Sequence, residues 1–295
     1  MLVLSAVRLA GIDRSLGYSR TVVQQSDESR AVLARALECL ESGVSAPLVG
    51  SATREWSERC VEIPWVSAHI GSASKILDVG WSMSPPEWLG VLLAARRPGV
   101  GLTGIDIVDP GRVSSRFLPE MLEDVMSVPV IVGDILTYEP LDEIFDLITC
   151  VSTLEHIGFD QATPTDVTET VFVRAETPEG IEVVRAPTTD QDFLDKAYQL
   201  LESGGRLLLT VPVGANRPIL HQDSLGLFTY QFEYGQEPWE QILADPRFSV
   251  TDSAYFGWSA EGGWQAVDSI SDLTHHTSEL KPFAVGCACV ELTRN

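Results

Sequence analysis

Apolar and polar positions alternate with two different periods along this chain, and the change between them divides it. Between residues 26 and 43, apolar Val32, Leu33, Leu37 and Leu40 recur at helical spacing, with Ser26 or Asp27 placed as N-cap and Gly43 as the stop. The next block, REWSERCVEIPWV (54–66), reads as a second short helix leading to Pro64, with Trp56 and Trp65 as packing anchors or a pocket wall. From residue 75 onward, short apolar runs at 75–79, 102–107, 128–132, 145–150 and 206–211 alternate with helical patterns near 86–96, 115–126 and 190–203. That alternation is the pattern of a parallel sheet with crossover helices. Near the end, RFSVTDSAYFGW (247–258) and PFAVGCACVELTR (282–294) read as two longer strands forming an antiparallel pair at one sheet edge.

One stretch breaks the rhythm. Residues 159–189 are rich in Thr, Pro and acids, and TVFVRAE and IEVVRAP flank TPEG, which reads as a hairpin with a Pro/Gly turn. Such an insertion can be a surface decoration, a lid over a site or the arm of a homodimer. The organisation expected is therefore a helical N-terminal cover over residues 1–60 and an α/β domain over 61–295, with the hairpin inserted at about 159–189.

Composition narrows the partners. With 295 residues, 44% of them hydrophobic and 8% aromatic, the chain is long and apolar enough to bury a substantial core. Its formal charge of −22, from 42 acidic against 20 basic residues with no basic stripe, repels nucleic acid and anionic membrane surfaces. A small-molecule partner fits better. Five scattered cysteines (Cys39, Cys60, Cys150, Cys287, Cys289) without CxxC spacing indicate neither a disulfide framework nor a zinc site. The opening MLVLSAVRLAGIDR lacks the apolar core of a secretory signal and no 18-residue apolar run follows, so a cytoplasmic location is expected.

The chemistry concentrates where strands end. In an open parallel sheet, ligands bind outside the carboxyl ends of the strands, where the winding reverses. The first strand runs into KILDVGWSMSPPEW, with Asp78 and Gly80; Asp106 closes the second in GIDI; Asp134 follows the third in VGDIL; CVSTLEHIG follows the fourth. For an adenosine bearing an amino-acid tail, each has a use. Gly80 admits close approach of the ligand, and Asp78 reaches an ammonium directly or through water. Asp106 accepts from both ribose hydroxyls, and Asp134 accepts from the adenine amino group. Ile107 and Ile135 sandwich the ring, and backbone groups around Val151 and Ser152 line the remaining wall.

This set resembles the class I S-adenosylmethionine-dependent methyltransferases. The resemblance rests on ILDVG, GIDI, GDI, FDLITCVSTLEHI and LLESGGRLLLTVP, and covers roughly residues 60–292. It implies a Rossmann-like three-layer sandwich whose seven-stranded, mostly parallel sheet has an antiparallel edge strand, with S-adenosylmethionine as cofactor. The family's first motif usually carries a second glycine where Ser82 stands; serine is small, and its hydroxyl could bond the methionyl carboxylate. A dinucleotide loop would need G-x-G-x-x-G, of which Gly80 alone is present. ERCVEIPWV and PVGANRPILHQDSLGLFTY look like bacterial members acting on sugars, glycan precursors or secondary metabolites, which implies O-methylation of such an acceptor.

Methyl transfer mostly needs positioning, plus a base when the acceptor is a hydroxyl. His156, in LEHIG, and His221, on the loop expected after the fifth strand, are the candidates, each with a structural alternative as a turn or loop histidine. Glu155 is expected to face a helix or solvent. Asp160 and Asp223 could hold a divalent cation bridging two sugar hydroxyls, without the spacing of any metal motif. His275 and His276, adjacent on an extended segment, point oppositely and suit a surface loop. Two rivals stand beside the enzyme: a non-catalytic methyltransferase-like scaffold, and a methyltransferase acting on protein or RNA, the latter disfavoured by charge.

Overall fold

The computed structural model describes residues 26–139, 144–159, 185–214, 216–222, 228–273 and 284–295. The first helix, α1 (Asp27–Ser42), starts where Ser26 accepts a bond from the Ser29 amide at 3.1 Å and stops at Gly43, whose left-handed conformation (φ 67°) returns its N–H to Cys39. It packs on α2 (Arg59–His69) and α3 (Pro86–Ala95). Unlike the helix expected to end near Pro64, α2 runs through that proline. A proline removes the bond to the carbonyl four residues back, here Cys60, and that carbonyl accepts instead from the Leu48 amide at 2.9 Å. The interruption is repaired from outside the helix.

The parallel strands are β1 (Lys75–Val79), β2 (Gly101–Asp106), β3 (Val130–Val132), β4 (Phe145–Val151) and β5 (Leu201–Pro212). The helix expected over 115–126 is instead a 3₁₀ turn at Pro110–Arg116 and a short α4 (Leu122–Met126). On the other side of the sheet lie α5 (Thr189–Leu200) and α6 (Gln236–Leu243), and β5 begins directly after α5. A separate two-stranded ribbon pairs β6 (Arg217–Gln222) with β7 (Phe228–Glu233). The chain closes with β8 (Phe248–Ser259), β9 (Gly263–Val267) and β10 (Gly286–Arg294).

The main sheet has eight strands in the order β3-β2-β1-β4-β5-β10-β8-β9. Every pair from β3 to β5 is parallel, and β10 runs antiparallel between β5 and β8. The antiparallel pair expected near the end is thus β8 and β10. The eighth strand, β9, is a hairpin partner of β8 that the sequence reading did not single out, and it seals the edge by pairing Trp258 with Trp264. Helices cover both faces, giving three layers. One core gathers Val32, Trp65, Trp88 and Trp264 under α1–α3; the other gathers Leu77, Phe193, Trp239 and Val290 under α5 and α6.

The order reverses between β1 and β4, which puts the switch point between the loops that follow them. Phe159 and Arg185 form an antiparallel bridge at the base of the expected insertion, whose residues 160–184 lie outside the described residues, as do residues 1–25 of the expected N-terminal cover. Among the described residues no helix is long and apolar enough to cross a membrane.

The loop after β1 is supported from β2. A Cβ at Gly104 would stand 2.6 Å from Cβ and Cγ of the buried Trp81, closer than packed atoms permit. Gly104→Ala therefore has to displace Trp81, and we expect a loss of roughly 1–3 kcal/mol in urea unfolding. Unchanged stability would show that Trp81 can move at no cost.

Candidate functional site

The loop leaving β1 turns at Gly80, in the left-handed region at φ 94°, and continues as a 3₁₀ turn at Trp81–Met83. The Gly80 amide donates to the Ile105 carbonyl at 2.9 Å, so the loop folds back over the end of β2. There the Asp106 carboxylate collects it: Oδ2 accepts from the amides of Ser82 (2.8 Å) and Met83 (3.3 Å), and Oδ1 from that of Val108 (2.8 Å). Ser82 is fully buried, and its hydroxyl donates to the Val108 carbonyl at 2.6 Å. It therefore faces inward, away from any ligand, which corrects the expectation that its hydroxyl is available to a carboxylate.

Gly80 also differs from expectation in what it admits. A Cβ there would lie 2.4 Å from Thr153 Oγ1, so the close approach that requires glycine is made by the protein's own turn after β4. Asp78, fully buried beneath this loop, accepts from Trp88 Nε1 (2.9 Å) and Thr149 Oγ1 (2.7 Å), both on Oδ1. Its Oδ2 has no hydrogen-bond partner among the described residues. Burial pushes the Asp78 carboxyl up to about 7 against the opposing bonds from Thr149 and Trp88, and pushes Asp106 up to about 6 against the amides of Val108, Ser82, Met83 and Ile107.

Beside them, β2 and β3 end in register, with Asp106 opposite Val132 and the Gly133 amide donating to the Asp106 carbonyl at 2.8 Å. Ile107 is 41% exposed and Val132 54% exposed, while Asp134 is exposed and accepts from the Leu136 amide at 2.9 Å. Ile135 is a core residue instead, and the Val151 side chain is buried as well. An Ile107–Ile135 sandwich is therefore not formed, because Ile135 packs among Leu77, Ile105 and Ile148.

On the far side of the switch point, Ser152 takes an uncommon positive φ of 43°. Its amide donates to Thr210 Oγ1 at 2.9 Å and its hydroxyl to Glu62 Oε2 at 2.8 Å, and Thr210 donates to the same oxygen at 2.6 Å. Glu62 pairs through its other oxygen with Arg59, at the start of α2. Against this network lies Glu155, in the 3₁₀ turn Leu154–His156; only 2% exposed, it faces neither solvent nor an open helix surface, contrary to expectation. Burial, reinforced by the Glu62 and Glu58 carboxylates and opposed by its own amide and by Arg59, raises Glu155 to about 8. Its Oε2 has no hydrogen-bond partner among the described residues.

His156 is half-buried on this turn, with Nε2 3.8 Å from Glu155 Oε1. His221 lies within β6 rather than on a loop, opposite Thr229. The partner strand β7 packs against the turn that carries His156. Asp160, Asp223, His275 and His276 lie outside the described residues. Sequence reasoning missed Arg59, Glu62 and Thr210. A signal existed for Glu62, a lone acid flanked by Val61 and Ile63 in an apolar run.

No family model and no curated protein matches the chain. Solved structures do. The N-methyltransferase NodS from Bradyrhizobium japonicum is 14% identical over 92% of this chain and 99% of its own, with a TM-score of 0.44. The 1,6-didemethyltoxoflavin-N1-methyltransferase of Burkholderia thailandensis, solved with S-adenosylhomocysteine, is 13% identical over 97% and 94%, with a TM-score of 0.41. A S-adenosylmethionine-dependent methyltransferase from Methanosarcina mazei is 13% identical over 75% and 92%, with a TM-score of 0.44. The parallel run β3-β2-β1-β4-β5, followed by an antiparallel strand between β5 and β8, is the sheet that the sequence resemblance implied. The chain has a Rossmann-like α/β fold, with a mostly parallel sheet and antiparallel edge strands.

In this fold the buried carboxylates carry a pH signature. Glu155 rises from an ordinary 4.5 to about 8 on folding, and Asp78 from 3.8 to about 7. Between those limits the folded chain holds protons that the unfolded chain has released, so stability falls as pH rises and levels off above the folded values. The urea midpoint is expected to drop between about pH 4.5 and about pH 8, and Glu155→Gln should remove part of that slope. Identical pH dependence in both proteins would mean that Glu155 is ionised in the fold.

Proposed function

We propose that the protein transfers a methyl group from S-adenosylmethionine to a small-molecule acceptor, most simply a hydroxyl of a sugar or natural product. One observation carries this reading: Asp78, Gly80, Asp106, Asp134 and the Ser152–His156 segment occupy the carboxyl ends of four adjacent parallel strands around the switch point. The cofactor, when bound, supplies an activated methyl group on sulfur. The residues present fit it. Asp78 Oδ2 is a buried acceptor without a partner among the described residues, suited to an ammonium met directly or through water. Asp106 closes β2 at the strand end where a ribose would lie, and Asp134 beside the exposed Ile107 offers an acceptor and an apolar surface for a purine.

On the acceptor side, His156 would take the proton from the hydroxyl as it is methylated, and the adjacent Glu155 would favour the resulting imidazolium when ionised. His221, on the ribbon beside that turn, is the second candidate. The net charge of −22 favours a small acceptor over nucleic acid. A second reading, a non-catalytic binding protein, draws support from Thr153 standing against Gly80 and from Ser82 facing inward.

Calorimetry with S-adenosylmethionine and S-adenosylhomocysteine separates the two. The methyltransferase reading expects binding that Asp106→Ala weakens by about tenfold or more, as befits a lost bond to a charged group. Absence of binding at millimolar ligand would select the scaffold reading. Once an acceptor screen yields turnover, His156→Ala should lower kcat more than KM; unaltered turnover would leave His156 a structural turn residue.

A further inference from the structure

We infer that Arg185 is a positioning residue for His156, holding the turn after β4 in place from outside the turn. The inference rests on the proposed function, which gives His156 its role. The segment Leu154–His156 is a single 3₁₀ turn with two bonds of its own, from the His156 amide to the Thr153 carbonyl at 2.9 Å and from the Ile157 amide to the Leu154 carbonyl at 3.1 Å. So short a turn has little stability by itself.

Arg185 supplies what the turn lacks. Its Nε donates to the Ile157 carbonyl and its Nη2 to the Leu154 carbonyl, both at 3.0 Å, so one guanidinium holds the backbone on either side of Glu155 and His156. The same Nη2 reaches Asp190 Oδ1 at 2.7 Å and the Tyr234 hydroxyl at 2.9 Å, and that hydroxyl donates to the same Asp190 oxygen at 2.7 Å. The cation is thereby fixed in turn. Its side chain is 6% exposed and lies 5.0 Å from the ring centroid of Phe232 and 5.5 Å from that of Tyr234. A guanidinium suits this place because its planar fork aims Nε and Nη2 in fixed directions; a lysine ammonium would keep the charge and lose the fork.

Arg185→Lys in the intact chain tests this by NMR. The His156 and Ile157 amides should exchange with solvent about tenfold or more faster than in the wild type, and the His156 ring nitrogen signals should shift, while β1 amides change less than about threefold. Unchanged turn amides would show that the turn holds itself, a uniform rise across the chain that Arg185 only supports the fold, and unmoved ring signals that the imidazole is placed by other contacts; each result overturns the inference. Should Arg185→Lys fail to fold, Asp190→Asn and Tyr234→Phe each remove a restraint on the guanidinium and should give the same pattern at smaller amplitude; its absence in both overturns the inference equally. In calorimetry, S-adenosylhomocysteine should bind Arg185→Lys within about threefold of the wild type, and a greater loss would move Arg185 to the cofactor side and overturn its assignment. A wild type that fails to bind this ligand would reject the proposed function, while the NMR comparison would still decide separately whether Arg185 holds the turn.

Discussion

A carboxylate taken out of water must find donors, and that requirement shapes the carboxyl edge of this sheet. Asp78, Asp106, Glu62 and Glu155 are all nearly or fully buried there. Because such groups are costly when unpaired, nearby segments are drawn toward them: Trp88 from α3 and Thr149 from β4 to Asp78, the 82–83 amides to Asp106, Ser152 and Thr210 to Glu62. The loops at the switch point take their course from these bonds. Where donors run out, at Asp78 and Glu155, burial instead favours the protonated form near neutral pH.

Much of this was legible in the sequence because it depends on local period and punctuation. The cap at Ser26, the stop at Gly43, the starts of β1 and β4, and the acids closing β1 and β2 follow from patterns a few residues long. What was not legible depends on contacts between distant segments. Pro64 sits inside α2 because Leu48 supplies the missing bond. Glu62 is a buried anchor because Thr210, 148 residues away, donates to it. Ser82 looked like a small residue lining a pocket, and it is a buried stitch because the Val108 carbonyl lies within reach of its hydroxyl. Nothing within a few residues of these positions carries that information.

The same distinction separates the two halves of the site. On the proposed adenosine side, Asp106 and Asp134 stand at strand ends whose order follows from strand–helix alternation, so reading the strands locates the residues. On the proposed acceptor side, the turn carrying His156 is held by Arg185, whose guanidinium donates to the carbonyls of Leu154 and Ile157, to Asp190 and to the Tyr234 hydroxyl. That tie joins the base of the insertion, the start of α5 and the residue that follows β7 at one buried cation. Its position follows from tertiary packing alone, which is why the acceptor half resisted reading.

Gly80 brings the halves together. In a cofactor loop, a glycine is usually explained by the ligand that comes close to it, yet here Thr153 occupies the space a Cβ would need, 2.4 Å from its nearest atom. Thr153 itself donates to the Val151 carbonyl at 3.1 Å and immediately precedes the turn that carries Glu155 and His156. The loop that would hold a cofactor and the turn that would face an acceptor therefore meet at Gly80 and Thr153 across the switch point. Any side chain larger than hydrogen at position 80 would push first on the acceptor turn, before it touched a ligand. The glycine belongs to the joint between the two subsites, and its requirement is set by the fold.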